Sequence, residues 1–514
     1  MLDELFVKMI ALDMEPLRLS EREGIKEFVA GLDSRYELPG RSTVTANLSK
    51  LFMKMKIQLL KIVEGTRYVA ITADTWTSMS NQGILALTCH FLKANQLISA
   101  LLAAKVVEGH HNADNLASVI SSILEEWNCR NKVVAIVTDN APVMIKVAEN
   151  LKIRHVPCFA HNLNLIIKDA LQNVEKLKAL LDKCKAIVTY FRHSTLASDK
   201  LKIIQRDLNK KELKLIQHVD TRWNSSLHML SRIKEVRDEL TLALNQNPNA
   251  PPNLTADEYT YLGEVENIFE PIESATEAIS GEEYVKLSLI IPLIKGILLH
   301  FATLEKEPMS DFARAVLENI KISVASKLKP YEKRSPCIIS TLLNPHFKKM
   351  GFRTDADVDR AIQFVQKEYS SYLATLDKAS SPPCPDGNYD LESSSEGMLV
   401  PHKKSKRSDL LSYLQPQSQT SNTNPTADAI VDIRQYVEKP IIPRSSYPIE
   451  YWSFSQSNLK HIALKFLCIP GSSTLAERVF SKTGQIVIER RNRLSGDYIN
   501  ELLFINQNNK ILKK

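Results

Sequence analysis

Three acidic residues, Asp74, Asp139 and Glu477, have the type and setting to do chemistry if folding brings them together. Asp74 closes YVAITAD (68–74) and Asp139 closes VVAIVTD (133–139), both β-rich runs, so each carboxylate falls at the end of a strand. Glu477 lies in PGSSTLAERVFSKTGQIVIERRNRL (470–494), where Arg478, Lys482, Arg490, Arg491 and Arg493 leave residues 477–494 at net +3. Each residue alone has a plainer reading. An Asp after a strand serves as a turn or cap residue, and a Glu among cations serves as a salt-bridge partner. Together, three carboxylates would hold two divalent cations roughly 3.5–4 Å apart, activate a water or hydroxyl and stabilise the leaving oxygen of a phosphodiester. Oxygen-only ligands select Mg²⁺ or Mn²⁺ rather than zinc, and the basic run offers a surface for phosphates. Cys158-x-x-His161 supplies only half of a tetrahedral zinc site, with no second pair nearby in sequence, and reads as a structural motif.

The elements that must position the acids follow from hydrophobic period. GILALTCHFL (83–92) and ISALLAAKVVEG (98–109) are strand candidates that form an antiparallel meander with the Asp74 run. Asn112 or Asp114 caps a helix reaching about Trp127, with Leu116, Ile120, Ile123 and Leu124 on one face. A helix follows Asp139 to about Asn150, a short strand reaches Cys158, and AHNLNLIIKDAL is helical. Three strands, helix, strand, helix, strand, helix is the order of a ribonuclease H-like domain. In a mixed sheet of that kind the first and fourth strands lie side by side. Asp74 and Asp139 then converge although 65 residues separate them.

The remaining chain divides into an N-terminal helical region (1–65), the sheet-bearing part (66–168), an almost wholly helical stretch (169–375), a Ser/Pro/Asn/Gln-rich linker (376–428) read as disordered, and a C-terminal part (429–514). The first stretch begins abruptly, already amphipathic, and reads as the middle of a longer protein. Arg222-Trp223 is either a core Trp with Arg packed on it or an aromatic plate for a nucleobase with a cation beside it. PHKKSKR (401–407) is either a nuclear-import cluster or a solvated charge run. Leu459, Ile462, Phe466 and Leu467, and then Leu502 and Leu503, make apolar stripes that serve as core or as a face for a second copy. At 514 residues with 44% hydrophobic and 24% charged content, the chain can form two to four soluble domains, and its net charge of +7 permits a polyanionic partner. The seven scattered Cys form no CxxC pair, which points to reduced thiols inside a cell and away from a disulfide framework. The N-terminus does not read as a secretory signal, and no uninterrupted apolar run approaches the roughly 20 residues that cross a bilayer.

TADTWTS (72–78), VTDNA (137–141), PCFAHNLNL (157–165), DTRWNS (220–225) and AERVFSKTGQIVIERRNRLS (476–495) occur in an order that resembles the hAT superfamily of DNA transposases. The resemblance is closest to the transposase-derived zinc finger BED domain-containing proteins. It implies an α/β plus α fold: a ribonuclease H-like mixed-sheet core interrupted by a large all-helical insertion, with a C-terminal hAT dimerisation region. Position by position, Asp74, Asp139 and Glu477 match the family's catalytic, metal-binding acids and Cys158 and His161 its C-x-x-H signature. Trp223 matches a Trp thought to stack on unpaired bases. No C-x-x-C…H finger precedes residue 68, and Asn344 and His346 in LLNPHFKK (342–349) replace the Asp and Arg of the family's usual pattern, as under relaxed constraint. The expectation is a nuclear protein that binds DNA and itself, with no membrane and no small-molecule substrate. It acts as a regulator, or alternatively as an active Mg²⁺- or Mn²⁺-dependent transposase.

Overall fold

The computed structural model describes residues 1–77, 82–219, 223–281, 284–380, 425–479 and 495–513. The chain begins with helices α1 (Leu2–Asp13), α2 (Glu23–Leu32) and α3 (Arg41–Glu64), then strands β1 (Val69–Thr77), β2 (Gly83–Lys93) and β3 (Gln96–Val106). It continues through α4 (Ala113–Glu126), β4 (Val133–Thr138), α5 (Pro142–Leu151), β5 (Arg154–Pro157) and α6 (Phe159–Asn173). Among the described residues nine α-helices follow without a strand: α7 (Glu175–His193), α8 (Thr195–Asp207), α9 (Asn224–Glu235), α10 (Arg237–Asn245), α11 (Ala256–Ser280), α12 (Ile290–Leu304), α13 (Asp311–Lys327), α14 (Ser335–Leu342) and α15 (Asp355–Ser380). The C-terminal part supplies α16 (Pro425–Glu438), α17 (Pro448–Ser453), α18 (Leu459–Leu467), a helix at 474–479 (α19) and α20 (Gly496–Lys513). Of the linker expected at 376–428, the ends are helical, since α15 runs to Ser380 and α16 starts at Pro425; its middle, with the basic cluster at 401–407, lies outside the described residues.

The sheet order is β3-β2-β1-β4-β5. β1, β2 and β3 form the expected antiparallel meander, and β4 lies parallel to β1 and β5 parallel to β4. β2, flanked on both sides, is buried over nearly its whole length, which is why its sequence is a continuous apolar run rather than an alternating one. Alternation in β1 and β4 sorts side chains between two cores. Val69, Ile71, Ala73 and Ile136 face one packed by α1, α3, α4, α5 and α20. Ala70, Ala135 and Val137 face the other, packed by α6, the nine-helix stretch and α16–α18.

The N-terminal helices are therefore part of the sheet's own core. α20 returns from the far end of the chain to pack between α3 and the edge strand β3, where Phe504 meets Phe52 edge to face with centroids 4.9 Å apart. Its asparagines cover that edge. Leu101 N–H donates to Asn508 Oδ1 (3.0 Å), Asn508 Nδ2 donates back to Leu101 O (2.9 Å), and Ala104 N–H donates to Asn500 Oδ1 (2.8 Å). Side-chain amides thus occupy backbone groups that an open edge would offer to another strand.

This corrects the reading of the C-terminal stripes as a face for a second copy. Leu459, Ile462, Phe466 and Leu467 are buried in the core with α14, α15 and α17, and Leu502 and Leu503 are buried against the sheet. Apolar side chains at helical spacing report that something covers them, and here their own chain does. The stretch Lys286–Leu304 is long and apolar enough to cross a membrane by length and composition, but it packs on α11 and α14. LLNPHFKK is also tightly integrated: Asn344 Nδ2 donates to Ser288 Oγ (2.7 Å), His346 stacks on Tyr284, and Lys348 Nζ donates to the Tyr436, Lys439 and Pro440 carbonyls that end α16. Asn344 and His346 are working core residues, so the expectation of relaxed constraint there finds no support in the packing.

Phe504→Ala is expected to cost about 3–5 kcal/mol in urea unfolding, independent of protein concentration because α20 docks within its own chain. A cost that grew on dilution would instead mean that α20 packs between copies.

Candidate acidic site at the β1–β4 edge

The last bonded pair between β1 and β4 is Thr72 with Val137. Asp74 and Asp139 each lie two residues beyond it, so the parallel register carries both acids to the same level of the sheet. Asp74 is not at a strand end as expected. β1 runs on to Thr77 with Asp74 still paired to Ala86 of β2, whereas β4 stops at Thr138. By alternation Asp74 follows Ala70 and Thr72 onto the face covered by the helical stretch. Thr72 itself, fully buried, begins a polar ladder across the sheet: its hydroxyl bonds that of Thr88, Thr88 Oγ1 lies 3.0 Å from His90 Nε2, and His90 Nδ1 lies 2.8 Å from Ser99 Oγ.

The turn that carries Asp139 is held at both ends. Ala141 N–H donates to Asp139 Oδ1 (3.3 Å), and Cys158 N–H donates to Thr138 O (2.7 Å). Cys158 is the joint of the site. Its buried Sγ accepts from His161 N–H, capping α6, and from Ser473 N–H, each at 3.4 Å. Phe159 N–H donates to Gly471 O (3.1 Å), so two consecutive residues at the β5–α6 junction grip the segment that leads into α19. Glu477 N–H then donates to Ser473 O (3.1 Å) in the first turn of that helix. The opposite side of the segment rests on the end of α11, where Ser472 Oγ donates to Ile279 O (3.4 Å) and Arg478 Nη2 to Ser280 O (3.3 Å). A Cβ at Gly471 would lie 2.5 Å from Ile279 Cδ1 and 3.2 Å from the Lys286 carbonyl carbon, so only glycine lets the strand-side grip and the α11 contact coexist.

Electrostatics reports the convergence. Burial first, then the negative charges of Asp139 and Glu477, push the Asp74 carboxyl up to about 7. Glu477 also raises the Cys158 thiol, on top of burial, to about 11, which keeps it a neutral acceptor. Burial holds His161 below the usual imidazole range while Asp139 opposes that shift. The three acids therefore feel one another across 65 and 338 residues of sequence. Among the described residues no three His, Cys, Asp or Glu side chains stand close enough to share one metal ion. The acids interact without closing on a single point, and Glu477 remains exposed.

Other expected site residues part from this cluster. Trp223 is only 5% exposed and meets Phe269 at 6.4 Å in a T-shaped contact inside the helical core, so its ring is not offered to a base in this arrangement. Arg222 lies outside the described residues, as do Lys482, Arg490, Arg491 and Arg493; Arg478 is exposed beside the acids. Sequence reasoning missed the joint made by Cys158, Gly471 and Ser473. The Pro-Gly preceding Ser472 and Ser473 signals a turn, but nothing in it names the partner 315 residues away. It also missed Lys286, 7% exposed, whose ammonium burial lowers to about 8 and whose backbone packs on Gly471.

Asp74 ionises at about 7 in the fold but near 3.8 when exposed, so the unfolded chain sheds that proton first as pH rises. Its contribution to stability is then lost between pH 4 and 7 and stays lost above. Asp74→Asn should raise stability at pH 8 in metal-free buffer by up to about 3 kcal/mol, with the gain vanishing by pH 4. Urea curves at the two pH values check this; equal gains at both would contradict the raised carboxyl.

Family models match the chain in three blocks: the ZBED1 RNase-like domain over residues 72–159, the ZBED1 RNase-like helical domain over 156–268, and the hAT family C-terminal dimerisation region over 432–509. Asp74 and Asp139 fall in the first block and Glu477 in the last. The chain is 24% identical to human Zinc finger BED domain-containing protein 4 over 98% of its own length and 43% of that protein. It is 23% identical to the Putative AC transposase of Zea mays over 95% of the chain and 62% of that protein, and 24% identical to human Zinc finger BED domain-containing protein 6 over 99% and 55%. It spans about half the length of these curated relatives. Ribonuclease-like blocks and a hAT dimerisation region thus stand in one order along the chain, and its similarity is to hAT transposases and zinc finger BED domain-containing proteins.

Proposed function

We propose that this chain is a nuclear, self-associating DNA- or chromatin-binding regulator that does not carry out productive transposition. In this reading the five-stranded sheet is a ribonuclease H-like core, α7–α15 is its helical insertion, and the C-terminal region mediates association through faces other than its buried stripes. The observation that carries the reading is the matched dimerisation region, in a chain whose acid cluster, tied by the Cys158 joint, has Arg478 exposed beside it. The basic residues from Arg478 onward would contact phosphates beside that cluster, giving retention that weakens with salt.

A second reading, metal-dependent cutting and joining of phosphodiesters, is favoured by the raised proton affinity of Asp74. A site that draws in a proton near neutral pH also draws in a divalent cation, and three carboxylates are a donor set for Mg²⁺ or Mn²⁺. Asp74, Asp139 and Glu477 would hold such ions, which supply nucleophile activation and charge neutralisation at phosphorus.

Calorimetric titration of Mn²⁺ into wild type and Asp139→Ala tests whether the acids act together. Binding in the micromolar-to-millimolar range by wild type is expected, lost in the variant and weakening as pH falls below about 7 because protons compete at Asp74. A DNA-cleavage assay separates the readings. No Mg²⁺-dependent cleavage alongside salt-sensitive DNA retention supports the regulator; cleavage abolished singly by Asp74→Ala, Asp139→Ala and Glu477→Ala supports the enzyme. A protein that stays monomeric at micromolar concentration and is not retained by DNA would overturn the regulator.

A further inference from the structure

α12 leaves one large apolar side chain, Leu299, in solvent. Its other large apolar side chains are buried or packed against the helical core. Pro292, Lys295, Gly296 and Leu299 stand at positions i, i+3, i+4 and i+7, the first two half-buried and the last two exposed. They form one wall of an open groove of about 520 Å³, whose other wall is built by Phe347 and Met350 and by residues Ile441 to Arg444 between α16 and α17. Leu299 is 60% exposed, Met350 66% and Ile441 45%, so apolar side chains stand in solvent on both walls.

Two further features point to an occupant. Gly296 lies in the interior of α12, where glycine costs about 1 kcal/mol relative to alanine, and a Cβ there would meet nothing within 4 Å. Packing within this chain does not require glycine there. The groove is also electrically one-sided. None of its lining residues is acidic, whereas Lys295 and Arg444 both line it. Lys295 Nζ donates to the Met350 and Phe352 carbonyls (2.9 and 2.8 Å) and, like Arg444, forms no ion pair with any described residue.

We propose that this groove docks an amphipathic helical segment of a partner protein, about two turns long, with apolar side chains against α12 and acidic ones against Lys295 and Arg444. The i to i+7 spacing on α12 sets the length, since seven residues of helix rise about 10 Å. Exposed apolar walls with two flanking cations match the helix-in-groove mode of peptide recognition. This surface is independent of the acid cluster and of any activity there.

The test is fluorescence anisotropy with the full chain and two labelled helical peptides that share a Leu/Phe face, one flanked by Glu and the other by Lys. Saturable binding of the Glu peptide is expected, at least tenfold weaker to Gly296→Leu and to Arg444→Glu, with no binding of the Lys peptide. Gly296→Leu fills open space at an exposed helix position and improves helix propensity, so circular dichroism should find its fold and stability intact. No binding of the Glu peptide, equal binding of both peptides, or binding indifferent to both substitutions would overturn the proposal. So would two results that assign the groove elsewhere. Concentration-dependent self-association abolished by Gly296→Leu would make the occupant a second copy. Flotation with phosphatidylserine vesicles, lost in the same variant, would make it a lipid surface.

Discussion

Parallel pairing of β1 with β4 sets the level at which Asp74 and Asp139 stand, and the rest of the site is arranged around that register. A one-residue slip of β4 would send Asp139 to the opposite face, because side chains alternate with period two. The slip is opposed by both cores at once. Ile136 is committed to the side packed by α4 and α5, while Ala135 and Val137 are committed to the side packed by α6. Apolar burial on two faces therefore fixes the position of two polar groups that contribute nothing to it. The cost of that placement appears in Asp74, whose carboxyl is forced toward neutrality by burial and by its acidic neighbours.

Delivering the third acid is a different problem, because Glu477 is 338 residues beyond Asp139. Closing so long a loop costs only slightly more entropy than closing a shorter one, provided that local contacts hold the ends. Those contacts are the paired bonds from Cys158 and Phe159 to Ser473 and Gly471. A thiol suits the junction. Its neutral sulfur accepts two backbone N–H groups in a buried place near carboxylates, where a charged acceptor would add to the negative field. The C-x-x-H motif is thus a piece of architecture, with Cys158 tying three segments and His161 lying within reach of Asp139's charge. Tyr331 extends the tie into the helical stretch by donating to Pro157 O (2.9 Å) while accepting from Asn162 Nδ2 (2.7 Å).

Covering the sheet has consequences for association. α20 seals the β3 edge with amide side chains and buries its apolar stripe in the same motion, and α18 does likewise among α14, α15 and α17. The residues that make the C-terminal region look adhesive are those that make it part of the monomer. Any surface joining two copies must be built from what these helices leave outside. α12 differs in one residue: Leu299 stays in solvent while its other large apolar side chains pack on the chain's own core.

Much of the plan was legible in the sequence. The strand runs, the helices after Asp139 and Cys158, the adjacency of first and fourth strands, and the long helical stretch all follow from short-range periodicity and from the few ways a mixed sheet can be connected. Local sequence also marked the three acids. What it could not decide were the long-range pairings: whether Trp223 faces solvent or Phe269, whether the Leu459 and Leu502 stripes meet their own chain or another, and which residue holds the Glu477 segment. Periodicity says that a face is apolar; it carries no information on what covers that face. Register, close approach at Gly471 and the coupling that lifts Asp74 arise only when segments hundreds of residues apart are packed together, because burial and charge proximity are properties of neighbours in space.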